Sequence, residues 1–323
     1  MRPFITIPAF LAACLLLVAC STNPATNRRQ FILLSSEEVS QLGEEAKPEL
    51  IREYGGEVPQ AELREYVRRI GAAMAATTEG DYPSTNWEFI VLNSDVINAF
   101  ALPGGKVFVS RGLMHYMTNE AQLAAVIGHE IGHVTARHVD ERISQAISAE
   151  IGLAVLGAMT ESQLAVLGAQ LVTGGYQLKF GRDQEREADR LGIRYMSNVN
   201  YDPQGMAQLL QILIDTSGGA AQPEFLSTHP NPERRRREAM ELIESEYAHT
   251  QNNAEFGLFQ QAFERYARPH LPPPRQVAGR LRFRSDTDGA DDGVAEAAFL
   301  PPSMWCLHCL SIELPEEVDT PTE

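Results

Sequence analysis

Apolar residues recur along this chain at two spacings, and the change from one to the other lays out the elements. In residues 61–76, Leu63, Val67, Ile70, Ala73 and Met74 fall at helical spacing with Arg64, Arg68 and Arg69 between them, which predicts an amphipathic helix of the core. Ser35-Ser36-Glu37-Glu38 reads as an N-cap followed by first-turn carboxylates and opens a helix through Glu45. Gln30 to Leu34 is a short apolar strand or clasp. Residues 87–92 form a strand-like run, and 98–110 read as strand, Pro103-Gly104-Gly105 turn, strand. Arg111 begins a helix that leads through Asn119-Glu120 into a small, apolar stretch, residues 121–134. Helical spacing returns at 181–196, 202–213, 234–246 and about 254–267, where Pro269 and Pro272 to Pro274 end it. The pattern predicts a mainly α fold with a small β-sheet, an α+β architecture.

One stretch departs from this alternation. Residues 143–172 are strongly apolar, interrupted by Thr160-Glu161-Ser162-Gln163. Each half has roughly ten residues, short of the ~20 that span a bilayer, so two packed helices or a lid are expected. No internal repeat is visible.

The chain has 323 residues and a formal charge of −16. That acidity argues against a nucleic-acid partner. Residues 285–323 contain no Lys or Arg but ten Asp or Glu, so this tail carries most of the imbalance. Met1-Arg2, an apolar run to Ala19 and then Leu17-Val18-Ala19-Cys20 have the pattern of a secretory signal ending in a lipobox. Cys20 becomes the acylated N-terminus in this reading, and the serine after it favours, by analogy with bacterial lipoproteins, the periplasmic side of the outer membrane. The expected organisation is a signal peptide at 1–19, a polar tether at 20–29, a catalytic domain at 30–268 and a Pro-rich, then acidic, loosely ordered tail at 269–323. In an oxidising compartment the Cys306-Leu-His-Cys309 pair reads as a local disulfide rather than a metal site.

The chemistry concentrates in His129-Glu130-Ile131-Gly132-His133. At ~100° per residue, His133 falls ~40° round the helix from His129, so both rings can reach one ion, and Glu130 sits beside them. This H-E-x-x-H spacing suits a zinc ion with the glutamate as base toward its water. The small apolar flanks predict burial, where a histidine pair without an ion is costly. A third ligand is needed. Ala136 stands where a second sequence class of zinc peptidases requires glycine, and His138 lies ~180° from His129 on a continuing helix, which makes it a surface residue or one behind the ligands. Glu185 fits instead, with Asp189 one turn on placed to accept the spare ring N–H of His129. Glu187 is ~200° round from Glu185 and points elsewhere.

Asn98-Ala-Phe-Ala-Leu-Pro-Gly-Gly, His129-Glu-Ile-Gly-His133, Glu185-Arg-Glu-Ala-Asp189-Arg and Ser227-Thr-His229-Pro230 follow one another here in the order found in a known family. Over residues 29–246 the chain resembles the zinc metallopeptidases that include the CAAX prenyl endopeptidases, the HtpX-type membrane proteases and the periplasmic β-barrel assembly-enhancing protease. The resemblance implies a gluzincin-type domain holding one Zn²⁺ per chain on His129, His133 and Glu185, with Glu130 as general base. It also implies that the segment Gly104, Gly105, Lys106, Val107 lines the substrate cleft, and that His229 approaches the metal, closing its fourth position at rest or stabilising the oxyanion. The chain departs from these relatives in showing neither the transmembrane helices of the prenyl and HtpX-type enzymes nor the helical repeats of the assembly-enhancing protease.

The expected function is a zinc endopeptidase of misfolded or stalled outer-membrane proteins, anchored through Cys20, with assembly-machinery proteins as further partners. The alternative is a chaperone-like envelope lipoprotein in which the zinc site is closed and structural.

Overall fold

The computed structural model describes residues 20–156, 179–217 and 223–271. The signal segment, the second apolar run, the cysteine pair and the acidic tail lie outside the described residues. Among the described residues, no helix is long and apolar enough to cross a membrane.

A three-stranded sheet has the order β3-β5-β4, with β3 at Glu88–Leu92, β4 at Ala99–Leu102 and β5 at Lys106–Ser110. β3 and β5 run parallel, with Phe89 opposite Val107, while β4 and β5 form an antiparallel hairpin with Phe100 opposite Phe108. The turn between them needs left-handed backbone at Gly104 (φ 76°) and Gly105 (φ 83°), which glycine adopts without a Cβ clash. β5 is thus the central strand, bonded on both edges, and Lys106 is fully buried, its Nζ bonded to the Asn86 carbonyl and paired with Glu44 and Glu88. Lys106 and Val107 of the expected substrate segment therefore have no free backbone edge; the outer strand of the hairpin is β4, and β3 is the other edge of the sheet.

Helix α1 spans Ser36–Glu53, eight residues beyond the expected end at Glu45, and runs through Pro48. Ser35 and Glu38 close a capping box at its start. Helix α2, Ala61–Ala75, lies across β3, where Gly71 lets the Phe89 ring sit against the helix backbone. After the short α3, Arg111–His115, comes α4, Glu120–Thr135, capped by the Asn119 side chain. Every residue of α4 is buried. A helix enclosed on all sides cannot be held by one amphipathic face, so its neighbours must approach closely.

The closest neighbour is α6, Arg182–Asn198. A Cβ on Gly128 would stand 3.0 Å from the Gly192 carbonyl oxygen, one on Gly132 2.9 Å from that of Ala188, and one on Gly192 2.8 Å from the His129 nitrogen. These glycines bring two helix backbones into contact and lay the carboxylate-bearing turn of α6 over the two histidines. Helix α5, His138–Leu156, includes the first apolar run; α7 spans Gln204–Ser217, α8 Phe225–Thr228, α9 Pro232–Glu246 and α10 Gln260–Tyr266, the last shorter than its pattern suggested.

The expected polar tether at 20–29 overlaps a strand pair. Cys20–Thr22 (β1) pairs antiparallel with Arg29–Phe31 (β2), and the buried Asn23 donates from Nδ2 to the Thr135 carbonyl at 2.8 Å. Its polar composition serves this docking: the Asn23 and Gln30 amides bond carbonyls at the end of α4, and the Arg28 guanidinium bonds Glu141 of α5 and Glu187 of α6.

Candidate metal centre

His129 and His133 project from the same face of α4 with their Nε2 atoms 3.1 Å apart. Glu185, from the first turn of α6, places carboxylate oxygens 3.7 Å from His129 Nε2 and 3.5 Å from His133 Nε2. His229 closes the group from the end of α8, its Nδ1 3.3 Å from His129 Nε2 and 2.9 Å from Glu185 Oε1. Four donors ~2.0–2.1 Å from one ion at tetrahedral corners stand about 3.3 Å apart, and this set is close to that spacing. Among the described residues, these four make up the group able to hold a metal, and all are buried.

Protonation supports the fit. His129 Nδ1 lies 2.9 Å from Asp189 Oδ1, so the ring donates there and keeps an unprotonated Nε2 toward the group. Burial pushes His133 well below the ordinary histidine range, so it is neutral. For Glu185, burial pushes the carboxyl up, but Arg235, His229 and His133 outweigh it and hold it well below the carboxylate range. Lone pairs and a carboxylate converging in a dry core repel one another, and a divalent cation resolves that repulsion.

Glu130 follows His129 on α4 and is wholly enclosed. Its Oε1 has no hydrogen-bond partner and lies 3.8 Å from His229 Nε2. Burial raises its carboxyl above the ordinary range, with His229 and His129 opposing. Phe180 packs on His133 with ring centres 4.0 Å apart, and Phe225 stacks on His229 at 4.2 Å, so apolar walls exclude water from this side.

The His229 loop is tied to the sheet. The Phe225 amide donates to the Ile97 carbonyl, and Asn98 and the Tyr54 hydroxyl both bond the Glu224 carboxylate. This fixes the loop beside the start of β4. Gly104 and Gly105 form the hairpin turn, and the Cys20 backbone lies in β1.

Arg235 was unforeseen at the centre, and of the two readings of His138 the structure takes the one behind the ligands. Arg235 of α9 is buried, donating from Nε and Nη2 to Asp189 at 2.8 and 2.6 Å, with Nη1 2.6 Å from Glu185 Oε2. It sits in a run of four arginines that reads as a solvated face. The signal that could have found it is its spacing with Pro232, Ala239 and Ile243, the buried side of α9. His138 is also buried, with Nδ1 3.0 Å from His133 Nδ1 and Nε2 2.9 Å from Glu187. The surface alternative for His138 is therefore corrected. The helix does not continue from α4: Arg137 takes φ 55°, and the break turns His138 back toward His133.

Comparison with known proteins fits this geometry. The chain is 36% identical over 183 residues to the beta-barrel assembly-enhancing proteases of Yersinia pestis and Escherichia coli K12, covering 54% of this chain and 37% of each relative. It spans little more than a third of those proteins. It is also 33% identical over 225 residues to the mitochondrial metalloendopeptidase OMA1 of Schizosaccharomyces pombe, covering 68% of this chain and 65% of that one. The description "Peptidase family M48" matches residues 61–243, a span that contains all four donors, Glu130, Asp189 and Arg235. That span exceeds half of the chain, and the chain belongs to peptidase family M48.

Proposed function

We propose that the chain is a zinc-dependent endopeptidase of the bacterial envelope, cutting misfolded or stalled outer-membrane proteins. The observation that carries the reading is Glu130: a wholly buried carboxylate with an unpartnered oxygen beside four converging donors. A purely structural metal site has no use for such a group, and leaving it buried is costly. The names of the bacterial relatives and the lipobox-like Leu17 to Cys20 support the envelope and its β-barrel proteins as the source of substrates.

His129, His133 and Glu185 hold the ion, and Asp189 orients His129. Zinc bound there would supply Lewis acidity and a water of lowered pKa. Glu130 takes the water's proton and later passes it to the leaving amine; its raised carboxyl suits a group that must carry a proton in both directions. His229 is the donor that gives way to substrate. The other three stand on the long helices α4 and α6, whereas His229 stands at the end of the four-residue α8. Among the described residues the outer strand β4 is paired on one edge only, and an extended peptide can add on the other as a further strand. Cys20 anchors the chain on the periplasmic side of the outer membrane, where assembly-machinery proteins are accessible partners.

A second reading has one observation in its favour: His229 completes a four-donor set, the arrangement of a closed structural site. It makes the chain a chaperone-like lipoprotein. The two are separated by incubating the zinc-loaded full chain with casein and with an unfolded outer-membrane protein, beside Glu130→Gln. The endopeptidase cleaves both substrates, and the variant keeps its zinc and loses ~10²–10⁴-fold in turnover. Bound zinc with no cleavage by either protein favours the closed site. Cleavage by a clean Glu130→Gln preparation rejects the assignment of the base.

A further inference from the structure

We propose that His138, Glu187 and Arg28 are positioning residues of the metal centre, holding His133 in the one tautomer that can bind an ion and making residues 20–31 a working part of that centre. The proposal rests on the metal-centre reading above and deepens it.

His133 faces the donor group with Nε2, so its proton must reside on Nδ1 for an ion to bind. The partner of that Nδ1 is His138 Nδ1 at 3.0 Å. Two ring nitrogens can bond only if one carries a proton and the other does not. The choice is made at the far side of His138, where Nε2 lies 2.9 Å from Glu187 Oε2. A carboxylate only accepts, so His138 carries its proton on Nε2 and presents a bare Nδ1 to His133. His133 Nδ1–H then donates to it, and Nε2 of His133 is left unprotonated. Without Glu187, His138 could hold its proton on Nδ1 and donate to His133, which forces the proton of His133 onto Nε2 and blocks the ion. The tautomer of a metal ligand is thus set two side chains away.

Arg28 holds Glu187 in place. Its Nε donates to Glu187 Oε2 at 3.2 Å, while Nη1 and Nη2 engage Glu141 at 3.1 and 3.0 Å. Gln184 also donates to Glu141, so the guanidinium is fixed at both ends. The strand pair that carries Arg28 is pinned to α4 itself: Asn23 donates to the Thr135 carbonyl and Gln30 to the Ala136 carbonyl at 2.6 Å, groups at the helix end without helical partners. Arg28 lies outside the matched family span, which begins at residue 61. The segment supplies from outside that span what Asp189 supplies to His129 from within it.

The test uses the full-length chain with His138→Leu, His138→Asn, Glu187→Leu and Arg28→Leu. ¹⁵N-histidine NMR of the metal-free proteins reads the His133 tautomer, and competition with a chromophoric chelator reads zinc affinity. The asparagine side chain can set an acceptor oxygen where His138 has Nδ1. Expected are an Nδ1–H His133 in the parent, a shift from it in His138→Leu and Glu187→Leu with ~10–100-fold weaker zinc binding, and recovery to within a few-fold in His138→Asn. Arg28→Leu falls at the low end of that range, ~10-fold. Variants that melt lower while keeping the parent tautomer and zinc affinity overturn the proposal, since that is the signature of packing alone. Should His138→Leu not fold, Arg28→Leu, at a half-exposed position, decides the same question. A parent that binds no zinc yet shows Nδ1–H His133 overturns the metal-centre reading and leaves the relay standing.

Discussion

At Arg235 one cation serves two buried carboxylates, Glu185 and Asp189, and its removal strands both. Breaking such a pair from one side costs about 3–5 kcal/mol, so metal-free Arg235→Leu should melt well below the parent at pH 7. The pH dependence separates charge from packing. In the parent, burial pushes both carboxyls up but Arg235 outweighs it, and both lie below their ordinary range. Their contribution is therefore present above ordinary values of about 4 and lost as pH falls through the lower folded values. In the variant, burial prevails, the folded values rise and acid relieves the penalty. The gap between the two melting temperatures should narrow from pH 7 toward about pH 4; a constant gap assigns the loss to packing. His129, His133, Glu185 and Asp189 were legible in the sequence because a spacing of four fixes a shared helix face whatever surrounds it. Arg235 was hidden by Arg234, Arg236 and Arg237, and the choice between the two readings of His138 was hidden by the left-handed Arg137, a conformation no spacing rule signals for arginine.

The seam between α4 and α6 sets how far the carboxylates stand from the histidines. Gly192→Ala puts a Cβ 2.8 Å from the His129 nitrogen, an overlap that only a shift of backbone can relieve. Overpacking of this kind costs about 1–3 kcal/mol, and here it also carries Glu185 and Asp189 outward. Thermal unfolding and zinc competition should therefore move together in this variant; a lower melting temperature with unchanged zinc affinity would show that the centre tolerates the displacement. The individual helices and strands were readable from their periods, and the Pro-Gly-Gly turn from its residues. The order of the strands was not, because residues 106–110 are apolar and compact in a way that suits either an edge or a centre. With β4 on the outside, peptide substrates carrying single N-methyl groups at successive positions should lose about 0.5–1.5 kcal/mol in kcat/KM wherever a bond to β4 is removed. Uniform tolerance along the peptide argues against strand addition.

Across the whole molecule, the main core extends from α2 and the sheet through α4 to α6, α7 and α10, far beyond the donor group. Chelation should accordingly leave the helical content intact and lower the melting temperature, with ~2.7 kcal/mol regained when zinc returns at a hundred times its dissociation constant. Collapse of the helical signal on chelation would mean instead that the ion nucleates the fold. The strand pair at residues 20–31 bears on where such an enzyme works. Asn23, three residues after Cys20, is already bonded to the Thr135 carbonyl, two residues past His133. With a lipid on Cys20, the leash is ~10 Å at full extension, shorter than the domain is wide. Under the proposed anchoring, the catalytic centre would patrol a shallow layer over the bilayer, and its rate would follow the surface density of clients at the membrane rather than their bulk concentration.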